Sequence, residues 1–167
     1  MSFILTDLEV QTSVGGSITK KGWAVTGVSI DSRTIKKGEL FVAIKSQRDG
    51  HEFLQSAICN GAAAAIVTRI PFNVPKDFPC IIVNDSIKAL HAIARFTRER
   101  FKGKLVAVTG SVGKTSTKSL LTEVLSKFGK THCSPKSFNN YLGVPLTLAN
   151  IPLNTQYVIC EIGMNSA

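Results

Sequence analysis

The stretch Val108-Thr109-Gly110-Ser111-Val112-Gly113-Lys114-Thr115-Ser116 joins an apolar run to a segment with helical periodicity. This order is typical of a phosphate-binding loop, because backbone N–H groups and the positive helix end can surround phosphate oxygens. Gly110 and Gly113 allow close approach of the backbone. We expect Lys114 to reach the β- and γ-phosphates and Thr115 to bind Mg²⁺. Because Val108 stands where the pattern G-x-x-x-x-G-K-[ST] has its first glycine, the loop is a shortened form.

A single acidic residue, Glu161, ends the apolar run at 157–160 downstream of this loop. A carboxylate at the end of a buried strand is well placed to hold Mg²⁺ beside phosphates, directly or through water. Two plainer interpretations stay open. Glu161 could be an ordinary exposed acid at a strand end, and the loop could be a glycine-rich turn with a surface lysine.

The chain divides into two segments, and the loop lies in the second of them. Short apolar runs at 25–30, 40–44, 64–67 and 80–83 predict buried strands. Helices are predicted over 52–60 and from Ser86, which can cap the second of them. The prediction is therefore an α/β fold, with a small domain at 1–102 and the first part of a parallel-sheet, P-loop-containing ATP-binding domain at 103–167. Since parallel sheets normally have more strands than 103–167 supplies, we expect the chain to be the front part of a longer protein.

Composition excludes several classes of protein. A chain with 44% hydrophobic and 19% charged residues is globular rather than disordered. No apolar run is long enough to span a bilayer, and no signal peptide is visible. The four cysteines and three histidines are scattered, which argues against a zinc site or a disulfide framework and favours a reducing cytoplasm.

The net charge of +9 is unevenly distributed, with seven basic and two acidic residues from 101 onward. This excess suits an anionic ligand such as nucleotide phosphate. Nucleic-acid binding is not expected, because the basic residues are singly spaced and aromatic residues make up only 7% of the chain.

Four motifs, in order along nearly the whole chain, resemble signatures of the Mur ligase family. The phosphate loop resembles the shortened TGxxGKT form of that family. The other segments are Asp31-Ser32-Arg33-Thr34 with Gly38-Glu39-Leu40-Phe41-Val42-Ala43 and Asp49-Gly50-His51, then Asn139-Asn140-Tyr141-Leu142-Gly143-Val144-Pro145-Leu146-Thr147-Leu148, and finally Glu161-Ile162-Gly163-Met164-Asn165. The ordered set is specific, and its third member favours the branch that uses D-alanyl-D-alanine.

The resemblance implies an ATP- and Mg²⁺-dependent ligase of peptidoglycan synthesis. Such an enzyme phosphorylates the carboxylate of UDP-N-acetylmuramoyl-tripeptide, and the amine of D-alanyl-D-alanine then attacks the acyl phosphate. The resemblance also implies a cytoplasmic monomer, without membrane insertion or nucleic acid, whose residues 1–102 form the UDP-sugar-binding domain.

The resemblance implies roles for individual residues. Lys114 and Glu161 are the catalytic candidates, Thr115 and Glu161 the metal ligands, and Ser32 and Arg33 the substrate contacts. The ATP-binding candidates are Thr109, Gly110, Ser111, Val112, Gly113, Lys114, Thr115, Ser116, Asn139 and Asn140. Structural roles stay open for some of these residues: Arg33 could form an ion pair, and Asp31 and His51 could fix loops.

One departure from the family pattern concerns Ser166, which stands where many members have a histidine linked to a second metal ion. Since the family's modified lysine and third domain would lie beyond Ala167, we expect the 167 residues alone not to be a competent ligase. Two other functions stay open. One is a different P-loop enzyme, such as a kinase or GTPase, which would not explain residues 31–51. The other is a non-catalytic module that still binds a UDP-sugar.

Overall fold

A computed structural model describes residues 4–135 and 137–163 of the chain. The fold divides into two compact units, Met1–Ile93 and Ala94–Ala167. Within the described ranges, none of the helices combines the length and apolar character that crossing a bilayer requires.

The first unit is built on a five-stranded sheet of order β2-β7-β6-β5-β4. Strands β4 to β7 run parallel, β2 joins β7 antiparallel, and β1 and β3 form a separate antiparallel pair. The elements in chain order are β1 Leu5–Thr6, α1 Asp7–Val14, β2 Ser17–Ile18, β3 Ala24–Val25, β4 Val28–Ser29, β5 Leu40–Val42, a 3₁₀ turn Gly50–Phe53, α2 Leu54–Cys59, β6 Ala64–Val67, β7 Cys80–Ile82 and α3 Ser86–Arg100. Helix α3 runs across the division between the two units at Ile93.

The core of the first unit follows from the apolar strand runs. Parallel strands are covered on both faces, so all residues of β5 and β6 are buried, including Phe41 and Ile66. Helix α3 contributes Leu90 and Ile93, which are fully buried. The cap of α3 differs from the predicted one, because the Asp85 carboxylate accepts from the first helical N–H groups and the Ser86 hydroxyl does not cap.

The second unit has a parallel sheet of order β8-β10-β9, with helices between the strands. Its elements are β8 Lys104–Val108, α4 Lys114–Ser126, β9 Thr131–Cys133, α5 Gly143–Ala149 and β10 Tyr157–Glu161. In the register of the central pair, Val108 lies opposite Glu161. The carboxyl ends of β8 and β10 therefore meet at one edge of the sheet.

The α/β prediction is confirmed, and most predicted elements form close to their expected bounds. The run at 25–30 is an exception, since it forms two short strands, β3 and β4, on either side of Thr26 and Gly27. Helices α1 and α5 were not predicted. Sequence periodicity missed α5 because it has only seven residues and contains Pro145, which is tolerated in the first turn of a helix.

Candidate functional site

The loop between β8 and α4 lies at the carboxyl edge of the second sheet, where open α/β sheets bind their ligands. Gly110 has φ +145° and Gly113 has φ +76°, two conformations that residues with a Cβ rarely adopt. Helix α4 begins directly after Gly113 and so directs its N-terminus into the loop. The loop thus combines two glycine conformations with a helix N-terminus, the two features on which the predicted phosphate-binding role depends.

The side chain of Lys114 folds back over this loop. Its Nζ donates a hydrogen bond to the carbonyl oxygen of Gly110 at 2.5 Å. The ammonium group is thereby held above the turn that would carry the phosphate groups. The structure thus places the Lys114 ammonium group beside the glycine loop, and its contact with ATP phosphates stays a prediction.

Glu161 is the centre of the polar cluster at this edge, and it is only 1% exposed. Its Oε1 accepts from Asn139 Nδ2 at 2.9 Å. Its Oε2 accepts from Thr115 Oγ1 at 3.2 Å and lies 3.3 Å from Lys118 Nζ. The exposed strand-end acid considered from the sequence is therefore wrong for this residue.

The electrostatics of the cluster keep Glu161 ionised. Burial acts to raise the pKa of the carboxyl group, because it removes water from the charged form. The hydrogen bonds from Asn139, Lys118 and Thr115, together with the charge of Lys118, outweigh burial and hold the pKa of Glu161 below its ordinary value. A buried, ionised carboxylate is thus available to a cation at neutral pH.

The oxygen atoms of Thr115 and Glu161 fit a magnesium site completed by a nucleotide. Their 3.2 Å separation is close to the roughly 3 Å between neighbouring ligands in an octahedral Mg²⁺ shell with bonds of about 2.1 Å. The Ser137 hydroxyl lies 3.2 Å from Thr115 Oγ1 and adds a further oxygen atom. In the part of the chain that the structure describes, no group of three or more His, Cys, Asp or Glu could hold a metal. Phosphate and water oxygens are ligands that Mg²⁺ commonly keeps beside one or two protein groups.

Sequence reasoning missed Lys118, the buried partner of Glu161. It lies three residues after Thr115 and four after Lys114 on α4, so all three side chains project from one face of the helix. That spacing places Lys118 on the same face as Lys114 and Thr115, but it gives no sign that the side chain is buried. Cys160, the residue before Glu161, is not a candidate nucleophile, because burial raises the pKa of its thiol to about 11.

The remaining predicted residues of the second unit are less closely tied to this cluster. Asn140 has a different role from Asn139. Its Oδ1 accepts hydrogen bonds from the N–H groups of Leu142 and Gly143 at the start of α5. Ser166 lies outside the described residues. Four predicted residues of the loop and the first turn of α4 have exposed side chains: Thr109, Ser111, Val112 and Ser116.

The predicted substrate residues lie in the first unit, after β4. Ser32 is buried, and its carbonyl oxygen accepts from Asn60 Nδ2 at 2.7 Å. Arg33 forms an ion pair with Asp31, with two side-chain contacts of 2.9 and 2.7 Å, while its own side chain is 84% exposed. The structural ion pair therefore exists, and the exposed guanidinium can still be approached by an anion.

His51 has a structural setting in the first unit. Its side chain is 2% exposed, and its Nε2 accepts from the backbone N–H of Thr68 at 2.9 Å. The ring proton must then lie on Nδ1, 2.5 Å from Asp49 Oδ1. This arrangement ties the 3₁₀ turn to the end of β6.

Two domain models of the Mur ligase family match the chain. The Mur ligase middle domain matches residues 108–167, and the catalytic domain of the Mur ligase family matches residues 24–98. A UDP-N-acetylmuramoyl-tripeptide--D-alanyl-D-alanine ligase from Rickettsia prowazekii is 45% identical over 138 residues, which are 83% of this chain and 30% of the relative. The ligase of the same name from Escherichia coli is 36% identical over 96% of this chain and 34% of the relative.

Solved structures show the same likeness. A crystal structure of MurF from Acinetobacter baumannii matches the whole chain with a TM-score of 0.85 and 31% identity, over 37% of that protein. The MurF ligase of Thermotoga maritima in complex with ADP matches 84% of the chain with a TM-score of 0.66 and 32% identity, over 32% of that protein. The chain thus spans about a third of the length of the proteins it matches.

Proposed function

This chain belongs to the Mur ligase family, and we propose that it is part of a ligase that adds D-alanyl-D-alanine to UDP-N-acetylmuramoyl-tripeptide. In that enzyme it would supply the domain that binds the UDP-sugar and the loop that binds the ATP phosphates. The observation that carries the proposal is the cluster of Thr115, Asn139 and Glu161 behind the glycine loop. In this proposal residues 1–102 bind the UDP-sugar and residues 103–167 begin the ATP-binding domain.

The chemistry requires a carboxylate to become an electrophile. In the proposed reaction the tripeptide carboxylate attacks the γ-phosphorus of ATP, ADP leaves, and the dipeptide amine displaces phosphate from the acyl phosphate. Backbone N–H groups at Gly110 and Gly113 and the ammonium of Lys114 would hold the ATP phosphates and offset their charge as the bond to ADP breaks. Mg²⁺, held by Thr115 and Glu161, would neutralise charge on the phosphoryl group.

Asn139 and the exposed Arg33 have supporting roles in this proposal. The amide of Asn139 fixes one carboxylate oxygen of Glu161, so the other oxygen faces Thr115. In the first unit, Ser32 and Arg33 would contact the UDP-sugar, with Arg33 offering its charge to the diphosphate. The whole protein would act in the cytoplasm in cell-wall precursor synthesis, in line with the four free cysteines of this chain.

Nucleotide binding tests the proposal directly. The full 167-residue chain is titrated with a fluorescent ATP analogue in the presence of Mg²⁺, alongside Lys114→Met and the matched control Lys127→Met. Lys127 is an exposed lysine that follows α4, far along the helix from the loop. We expect Lys114→Met to weaken binding by about 10- to 100-fold, because a charged hydrogen-bond donor is lost, and Lys127→Met to bind like the wild type.

A second titration separates the proposal from another P-loop enzyme. UDP-N-acetylmuramoyl-tripeptide should bind the chain, and Arg33→Ala should weaken that binding without changing the affinity for the ATP analogue. Binding of ATP without binding of the UDP-linked peptide would favour a kinase or GTPase. Binding of the UDP-linked peptide without ATP would favour a non-catalytic module.

A further inference from the structure

Lys118 occupies an unusual place on α4. Among the described residues of this helix it is the buried one, with a side chain only 5% exposed. Leu120 and Val124 of the same helix are instead exposed by half or more, as is Phe128 just after its end. Apolar packing therefore does not explain why α4 buries this position.

The surroundings of Lys118 are polar and match its charge. Its Nζ lies 3.3 Å from Glu161 Oε2 and donates to Ser134 Oγ at 3.3 Å. Removing an ammonium group from water is costly unless a counter-ion and hydrogen bonds replace the water. The Glu161 carboxylate supplies that counter-ion, so the two side chains hold each other in place.

Lys118 contacts the same oxygen atom that faces the candidate metal ligand Thr115. Glu161 Oε2 accepts from Thr115 Oγ1 and also pairs with Lys118. A divalent cation between Thr115 and Glu161 would therefore lie close to an ammonium group, and the two like charges would repel. With Lys114 nearby, the loop holds two positive side chains against one carboxylate. The site becomes favourable to a dication only when phosphate groups add negative charge.

We propose that Lys118 is a positioning residue that holds the Glu161 carboxylate and makes divalent-metal binding at Thr115 and Glu161 depend on bound nucleotide phosphate. The inference rests on the proposed function, since it takes the loop to be the nucleotide site. Without nucleotide, Lys118 serves as the cation for Glu161. With nucleotide, the phosphate oxygens favour the metal, and Lys118 keeps the carboxylate in position.

The test measures binding of Mn²⁺ alone to the full nucleotide-free chain by electron paramagnetic resonance. We expect weak binding by the wild type and binding tighter by about tenfold or more in Lys118→Met, because the competing charge is lost. Lys118→Gln keeps a hydrogen-bond donor and should show the same gain if the methionine variant folds poorly. Lys127→Met is the control for net charge and should match the wild type.

Two further measurements assign the gain to this site. Adding Glu161→Gln to Lys118→Met should abolish the gain in Mn²⁺ affinity. Adding a non-hydrolysable ATP analogue should reduce the difference in Mn²⁺ affinity between the wild type and Lys118→Met. A folded Lys118→Met or Lys118→Gln chain that binds Mn²⁺ no more tightly than the wild type overturns the inference, as does an equal gain in Lys127→Met. If Lys114→Met still binds the ATP analogue normally, the proposed function fails instead.

Discussion

Asp49 joins several groups at the start of the 3₁₀ turn in the first unit. Its Oδ1 accepts from the backbone N–H of His51 at 3.0 Å and lies 2.5 Å from His51 Nδ1. Its Oδ2 accepts from Arg69 Nη2 at 2.6 Å. All of these contacts favour the ionised carboxylate, and they lower the pKa of Asp49 from 3.8 to about 2, with the His51 backbone hydrogen bond as the largest cause. The substitution Asp49→Asn keeps the shape of the side chain and removes its charge.

The size of the effect follows from the pKa values of the folded and unfolded chain. A carboxyl group whose pKa falls from 3.8 to about 2 on folding contributes at most about 2.5 kcal/mol at neutral pH. The Arg69 side chain is 60% exposed, so solvent weakens the contribution of its ion pair with Asp49. We therefore expect Asp49→Asn to lower the free energy of unfolding by about 1–2 kcal/mol. Because the folded pKa is the lower one, this contribution is present above pH 4 and is lost as pH falls toward 2.

The assay uses the single tryptophan of the chain. Trp23 lies in the first unit, so its fluorescence during urea denaturation follows the unfolding of that unit. The difference between wild type and Asp49→Asn should be largest at pH 7 and should shrink by about half at pH 3. Asp77→Asn, at an exposed position between β6 and β7, is the control and should change little at either pH. A difference that does not vary with pH, or no difference at pH 7, would contradict a stabilising role for the Asp49 charge.

Two further predictions concern packing in each unit. Gly16→Ala should lower the free energy of unfolding by about 1–3 kcal/mol, because the new Cβ would lie 2.6 Å from Ile81 Cγ2 and from the carbonyl oxygen of Ile82. Ser17→Ala, at the exposed neighbouring position, is the control in the same denaturation assay. An equal effect of the two substitutions would contradict the packing argument. In hydrogen exchange, the amides of α4 should exchange faster than those of β5 and β6 by about tenfold or more, because α4 leaves Leu120 and Val124 exposed whereas both strands are fully buried. Equal protection of α4 and the two strands would disprove this.

The sequence was sufficient to predict those elements that are determined by residues close together along the chain. The run at 64–67 forms β6 with the predicted bounds, because four consecutive apolar residues between turn residues suit a strand that is buried on both faces. The glycine loop also forms where the motif places it, since Gly110 and Gly113 adopt positive φ values. Helix α1 was not predicted, although Thr6 and Glu9 form a capping box, because only Val10 within the helix is buried and no apolar stripe marks it.

The candidate site required information that no local pattern contains. Lys118 and Ser134 contact each other, and Lys118 also pairs with Glu161, which is 43 residues further along the chain. These contacts exist because β10 lies between β8 and β9, which aligns Glu161 with Val108 and carries the carboxylate to the start of α4. The rule that parallel strands present their carboxyl ends at one edge was enough to associate Glu161 with the loop. It could not identify Lys118, because a lysine on an exposed-looking helix is normally a surface residue. The strand order brings Glu161 beside Lys118, which then serves as the buried counter-ion of the carboxylate. The polar cluster therefore depends on the arrangement of the strands and not on the glycine-loop motif alone.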